Sequence, residues 1–468
     1  MRSALMRIGC GRGDNVTLVR HFLTAVLIAC ALGTIAPAQT GGGDRDRHVV
    51  VISLDAFPAY ALRDPNIPLP VLRKLIREGG VAEGLKPVNP TVTWPNHTSM
   101  ISGVDASRHG VIYNGLPVRP EGKPLRVEPW IDKNELVQAR TVYDAAHDAG
   151  LTTAEVDWVA IYHAASVNWS FAEAPKPDGA VEREMVERGL ATDDEIRNFS
   201  KGPITLKDEI WTRAAVHIIE QHRPNLLLMH LLTTDSAQHQ YGARSLAANT
   251  ALILADRQVQ RVLDAIDRAG IRDRTTVLVV SDHGFKTYQH LIRPNALLRQ
   301  QGLLRDRDGQ VDCDAWVVAE GGTAMAYVIR ESARDTALKL LTGMAGTVPG
   351  IDKVILPSSY AEYGYPKVTP QGRMADLVLA AGPGYAFDGN TKGETSVDVP
   401  AGSTPGNHGY LNSDSDMNAI LVAWGAGIQP GSHVGLVPNV NVAPTIAQLL
   451  KLNFPGTQGS VLGDLLKK

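Results

Sequence analysis

The apolar positions of this chain fall into two alternating patterns. Apolar runs such as Val49 to Leu54, Leu226 to Leu232 and Val277 to Val280, the first and last rich in β-branched residues, read as buried strands. Between them, apolar residues recur at helical spacing. Pro70 to Glu78 puts Val71, Leu72, Leu75 and Ile76 on one face, and Gly79-Gly80 ends it. Thr141 to Ala149, Thr205 to His222 and Ala247 to Ala269 read as further helices, with Gly150 and Gly270 as stops. Strands are expected at Leu151 to Val156, Asn225 to Leu232, Thr275 to Ser281, Ala324 to Ile329, Ala375 to Ala381 and Ala419 to Trp424. A last helix is expected from Val442 to Leu452. The alternation predicts an α/β fold with a central, mostly parallel sheet and helices on both faces. From about Glu320 to Thr404 the chain is richer in Gly, Pro and Tyr, which leaves a small inserted subdomain or a set of long loops open.

The N-terminus has a different pattern. Arg2, Arg7, Arg12 and Arg20 precede an apolar run from Phe22 to Ile35, and Ala36-Pro37-Ala38 follows. Residues 1–38 therefore read as a secretory signal peptide. The run is short for a membrane span, which needs about 20 apolar residues. An uncleaved anchor is one alternative. Lipoprotein anchoring through Cys30 is another, because Leu27-Ile28-Ala29-Cys30 resembles a lipobox, but the apolar run continues past Cys30 and favours cleavage near Ala38. Residues 39–47 are a polar, Gly-rich linker, and residues 48–468 are expected to form a single domain. No later segment is long and apolar enough to span a membrane. The expected location is periplasmic or extracellular.

Composition narrows the class. At 468 residues, 44% hydrophobic and 20% charged, the chain is not disordered, collagenous or a small disulfide scaffold. Removing residues 1–38 changes the formal charge from −3 to −6, so no basic field points to a nucleic-acid surface. It also leaves Cys313 alone, so internal disulfides cannot hold the exported fold. Protein partners are not legible.

Candidate chemistry lies at strand ends, where open α/β sheets bind ligands. The three apolar runs end in Asp55, in Thr233-Thr234-Asp235 and in Ser281-Asp282-His283. His239 lies one helical turn after Asp235, and His408 stands in the loop Gly406-Asn407-His408-Gly409. Three acids placed together are costly unless a cation neutralises them. Mixed Asp and His donors suit Zn²⁺, and six ligands are about right for two metals. Singly, each Asp could be a helix cap. Thr93 stands at the mouth of a helix, where a phosphate would meet free N–H groups; it too could be a cap. Trp94 is a candidate for stacking on a flat leaving group, or a core residue closing the loop. Asn96 and His97 are expected to position that loop. His163, His217, His222 and His290 have no spaced partner. Asp306, Asp308, Asp312 and Asp314 read as a polar turn, because the Gly offset does not fit a calcium loop.

The ordered set of motifs resembles the alkaline phosphatase superfamily, in its nucleotide pyrophosphatase/phosphodiesterase branch. Carrying it are Val50 to Asp55, Pro90 to His97, Ser107 to Asn114, Thr233 to Gly242, Val280 to Phe285 and Gly406 to Tyr410, which span nearly all of residues 48–468. The resemblance implies an alkaline-phosphatase-like fold and two zinc ions per chain. Asp55, Thr93, Asp282 and His283 match the site that activates the nucleophile, and Asp235, His239 and His408 match the second site. Thr93 matches the nucleophile, and Asn114 the side chain that binds a phosphoryl oxygen. Phe285 stands where the family often has Met. The implied activity is hydrolysis of phosphodiester or pyrophosphate bonds in a small-molecule or nucleotide substrate, through a phosphothreonine intermediate. A phosphomonoesterase or phosphonate hydrolase on the same site remains an alternative, as does a non-catalytic secreted binding protein. A sulfatase would need Cys or Ser in place of Thr93.

Overall fold

The run His48–Leu54 is buried at every position and forms an inner strand of an eight-stranded sheet. The strand order is Ser432–Pro438, Gly80–Lys86, Leu421–Gly425, Thr275–Val280, His48–Leu54, Leu226–Leu231, Thr153–Val156, Trp169–Phe171. Five of the seven pairings are parallel; Leu421–Gly425 runs against both its neighbours. This computed structural model describes residues 43–307, 309–370 and 372–468. The expected signal segment, with Cys10 and Cys30, lies outside them, as do residues 39–42 of the linker. Among the described residues no helix is long and apolar enough to cross a membrane.

Both faces of the sheet are covered, as a strand buried at every position requires. Val50, Ile52 and Leu54 pack with Leu72, Leu75, Trp211, Ile218, Val259 and Ile266 of the helices Pro70–Glu78, Ile204–His222 and Leu246–Arg268. Val49 and Val51 face the other way, with Met100, Ile101, Tyr143 and Ile446 of Thr93–Ser102, Val142–Asp148 and Val442–Leu449. Burying each such side chain stabilises the fold by about 1.5–3 kcal/mol. The last helix stops at Leu449, short of the expected Leu452. Lys451 turns left-handed (φ 55°), and Leu452 N–H donates back to the Ala447 carbonyl (2.8 Å).

The register places the chemistry. Ser53 lies opposite His230 on one side and Val280 on the other, and Leu54 lies opposite Leu231. Asp55, the helix Thr233–Tyr241 and Ser281-Asp282 therefore leave the sheet along one edge. Neighbouring strands are about 4.8 Å apart, so three adjacent ends span only about 10 Å.

The segment after residue 314 is not a set of long loops. Ala315–Ala319, Thr323–Val328, Leu377–Ala381 and Ile351–Ile355 make an antiparallel four-stranded sheet that starts before the expected Glu320. Val317, Ala326 and Leu379 pack with Ala337, Leu341 and Met344 of the helix Arg334–Thr347. The opposite face meets the loop before Asn114, where the Tyr113 and Tyr327 hydroxyls hydrogen-bond (2.7 Å). The acid-rich turn is a hairpin, Leu304–Arg307 with Gln310–Cys313, whose Asp306, Asp312 and Asp314 pair with Arg299, Arg305 and Arg330.

Candidate active site

Two groups of side chains that could ligate a metal meet at this edge. Asp55, Asp282 and His283 are almost completely buried. His283 Nε2 lies 3.1 Å from Asp282 Oδ2 and 3.6 Å from Asp55 Oδ1. Nearer the mouth, Asp235 Oδ1 is 3.4 Å from His239 Nε2 and 3.9 Å from His408 Nε2. Asp235 also lies close enough to Asp55 and His283 to share one ion with them. All six side chains expected from strand ends and the glycine loop are thus together.

Local structure holds each in place. The Asp55 turn puts Ala56 in the left-handed region (φ 58°), a conformation that costs a non-glycine residue about 1–2 kcal/mol. It persists because its backbone is pinned. Ala56 N–H donates to Asp282 Oδ1 (3.0 Å), Phe57 N–H to Ser281 Oγ (2.8 Å), and the Ala56 carbonyl accepts from Gln238 Nε2 (2.8 Å). His408 is held by an antiparallel pair, Gly406 opposite Thr287 and Asn407 opposite Lys286, which ties its loop to the His283 loop. Gly409 (φ 78°) follows; a Cβ there would run into the Glu320 carbonyl oxygen.

The protonation pattern is informative. His239 Nδ1–H donates to the Gly406 carbonyl (3.3 Å), His283 Nδ1–H to the Gly284 carbonyl (3.1 Å) and His408 Nδ1–H to the Thr91 carbonyl (3.0 Å). A carbonyl only accepts, so each Nδ1 carries the proton and each Nε2 presents a lone pair. Those lone pairs face carboxylate oxygens, which also only accept. Asp55 Oδ1, Asp235 Oδ1, Asp282 Oδ2 and His283 Nε2 are buried without a hydrogen-bond partner. Acceptors facing acceptors is the arrangement a cation resolves, and this donor set fits divalent metal ions.

Electrostatics agree. Burial, then the charges of Asp282 and Asp235, push the Asp55 carboxyl well above its usual range. Burial raises Asp235 to about 6, although His239 opposes it. Burial lowers His283 to about 3 and His408 well below the usual imidazole value. The His283 and His408 imidazoles are thus neutral, the form that binds metal, while the carboxylates need positive charge beside them to ionise.

Thr93 opens the helix Thr93–Ser102, and Val92 occupies its cap position, so the hydroxyl does not serve as a helix cap. Its carbonyl accepts from His97 Nδ1 (2.9 Å), whose ring stands 3.7 Å from Asp282 Oδ2. Asn96 positions the loop as expected: its Nδ2 donates to the Pro90 and Val92 carbonyls (both 2.9 Å). Asn114 Oδ1 accepts from Trp94 N–H (2.9 Å), which leaves the Nδ2 donors available and Trp94 N–H already used. Trp94 is buried with Val111, Leu136, Val137, Val159 and Ala160, edge-on to Trp130 at 6.4 Å. It also lines a cavity of about 440 Å³, so it is both a core residue and a wall.

Some supporting residues were not among those expected from the sequence. His230 Nε2 sits 3.1 Å from Asp55 Oδ2, and its Nδ1 faces the Asp157 carbonyl (3.1 Å). Asp208 accepts from Leu232 N–H (2.9 Å) and Thr233 N–H (3.1 Å), fixing the turn before Asp235. Glu320, pushed up to about 8 by burial, lines a second cavity with Asn114, Asn407 and His408. Only His230 could have been suspected, as a polar residue within an apolar strand.

Comparison with known proteins places this geometry. Residues 49–411 match the family model described as type I phosphodiesterase / nucleotide pyrophosphatase. The chain is 23% identical over 434 residues to ectonucleotide pyrophosphatase/phosphodiesterase family member 7 of Mus musculus, covering 91% of this chain and 89% of that protein. It is 25% identical over 453 residues to family member 1 of Homo sapiens, covering 93% of this chain and 43% of that protein. The solved structure of murine ectonucleotide pyrophosphatase/phosphodiesterase 5 superimposes with a TM-score of 0.68 at 18% identity, covering 90% of this chain and all of that one. The human protein gives 0.69, also at 18% identity, over the same shares. An inactive form of the murine protein is solved in complex with AMP.

Proposed function

This chain belongs to the type I phosphodiesterase/nucleotide pyrophosphatase family, on an alkaline-phosphatase-like fold, and from that premise we propose that it is an exported, zinc-dependent hydrolase of phosphodiester or pyrophosphate bonds working through a phosphothreonine. The observation that carries the reading is the set of buried, unpartnered acceptors at the strand ends beside Thr93. Asp55, Asp282 and His283, with the Thr93 hydroxyl, would hold one zinc, and Asp235, His239 and His408 the other. Bound there, the two cations supply charge that lowers the hydroxyl pKa, activates water and stabilises a departing oxygen.

The chain's own groups do the rest. Thr93 Oγ attacks phosphorus, the P–O bond to the leaving group breaks, and a phosphothreonine forms. Asn114 Nδ2–H donates to a non-bridging oxygen and holds the phosphorus in line. His97 fixes the Thr93 backbone, and His230 packs beside Asp55 with its Nδ1–H on the Asp157 carbonyl. Water then attacks phosphorus and releases Thr93, giving overall retention.

The cavity linings favour diesters over monoesters. Among the described residues lining the cavities beside Trp94 and Asn114, Lys176 is the only Lys or Arg, while Glu155, Glu173, Asp178, Glu182, Glu320 and Asp388 are acidic. A terminal phosphate dianion finds no cationic clamp there; a diester monoanion needs none. An AMP complex of a family relative is in keeping with a nucleotide substrate. Export rests on residues 1–38.

The test is Thr93→Ala. It is expected to abolish hydrolysis of bis(p-nitrophenyl) phosphate while the zinc content stays equal to that of wild type. Unchanged turnover would overturn the nucleophile assignment.

A further inference from the structure

The structure brings together a second set of metal-ligating side chains, far from Thr93. The sequence treats His217 and His222 as isolated. In the fold both reach Glu184 of the neighbouring helix Ala180–Glu187. His217 Nε2 lies 2.7 Å and His222 Nε2 2.8 Å from the same oxygen, Glu184 Oε2. All three ligand atoms lie within 4.8 Å of one another.

We propose that Glu184, His217 and His222 form a further binding site for a first-row divalent cation, with zinc as its natural occupant class, bracing the helix Ala180–Glu187 against the end of Ile204–His222. The geometry suits a tetrahedral ion. Bonds of about 2.0–2.1 Å put neighbouring ligand atoms roughly 3.3 Å apart. The two nitrogens need move only about half an ångström outward from the shared oxygen. Two imidazoles bound through Nε2 to one such ion have centroids about 5–6 Å apart; here the rings are 5.8 Å apart and nearly perpendicular (89°). His222 is also held by the face of Trp169, stacked at 4.6 Å and 20°. That orients the ring, as a supporting contact does for a metal ligand.

Access and partners are consistent with this site. The His217 side chain is buried (1% exposed), whereas His222 and Glu184 are partly open at 19% and 35%. Three protein ligands therefore leave a position toward solvent for water. No hydrogen bond to a protein group engages either Nδ1 among the described residues, so each can take up the proton that Nε2 gives up on binding. The site is separate from the strand-end cluster. Asp208, near the start of the same helix, bonds to the turn before Asp235. His222 is 14 residues further on, about 21 Å along the helix axis at 1.5 Å per residue.

The test counts zinc in the full chain after chelator stripping, reloading with Zn²⁺ and dialysis. Glu184→Gln and His222→Gln are used because both positions are partly exposed and Gln keeps hydrogen-bonding capacity. Each is expected to hold one zinc per chain fewer than wild type, with turnover of bis(p-nitrophenyl) phosphate within twofold. Because the readout is a difference, it is independent of how many ions the strand-end cluster holds. Equal zinc content in wild type and both variants would overturn the proposal and leave Glu184 a hydrogen-bond acceptor alone.

Discussion

Asp235→Asn should make the metal-stripped protein more stable and the metal-loaded protein less so. In the absence of a cation, burial raises the Asp235 carboxyl to about 6 from 3.8, against the pull of His239 and with the push of Asp282. A difference of about two units is worth about 3 kcal/mol. The sign follows from the raised value. The native state holds its proton more tightly than the unfolded chain, so this contribution is intact below about pH 4 and lost as pH rises through 6. At pH 7.5 stripped wild type carries the whole cost of an ionised buried carboxylate, and the Asn variant carries none. At pH 5 the cost is about half as large. For a chain of this size, 3 kcal/mol corresponds to roughly 3 °C in Tm. The assay is thermal and urea unfolding of chelator-treated wild type and variant at pH 5 and 7.5, repeated with excess zinc. Zinc should reverse the order, because Asn gives a neutral, weaker ligand. A stripped variant no more stable than stripped wild type at pH 7.5 would refute the claim that these acids are clustered at a cost only a cation relieves.

Other expectations follow from the same structure. Asp144→Asn should destabilise the fold by about 3 kcal/mol at neutral pH, since Lys133 Nζ lies 2.6 Å from Asp144 Oδ2 and is largely buried. Burial raises the Asp144 carboxyl, but hydrogen bonds from Lys133, Ser166 and Thr141 outweigh it and hold the net value low. The stabilisation is therefore present above the ordinary carboxylate range and lost as pH falls through the lowered native value, which urea midpoints across acid pH would show. Gly409→Ala should cost about 2–4 kcal/mol, from a left-handed backbone and a contact with the Glu320 carbonyl, and should cut kcat by displacing His408. Steady-state kinetics at saturating zinc with a parallel melt would check it. Trp94→Ala should cost about 3–5 kcal/mol as a buried aromatic and raise KM as a cavity wall; a loss of stability with unchanged KM would leave it a core residue only.

Much of this site is legible one strand at a time. Asp55, Asp235 and Asp282 each stand at the end of an apolar run long enough to mark a buried strand, and the alternation of strands and helices predicts parallel strands that share one edge. His239 is legible from helical spacing. The supporting contacts are not. His230 and Asp55 are 175 positions apart, and no periodicity links them. The strands Gly80–Lys86 and Ser432–Pro438 also escape a reading by pattern. The first carries Gly80 and Gly84 among its seven residues, and the second is half exposed, so neither shows an apolar run.

By itself the sequence determined the inner strands and the long helices, the mostly parallel α/β class and the identity of the groups at the strand ends. These depend on local preferences and on burial patterns a few residues long. The tertiary structure decided which strand ends are neighbours, and hence which acids lie close enough together to hold a cation. It also decided which nitrogen of each histidine faces them, because a backbone carbonyl from elsewhere in the chain binds Nδ1 of His239 and His408. It brought His217 and His222 to Glu184 as well. Such pairings are set by the close packing of whole layers, and no short stretch of chain encodes them.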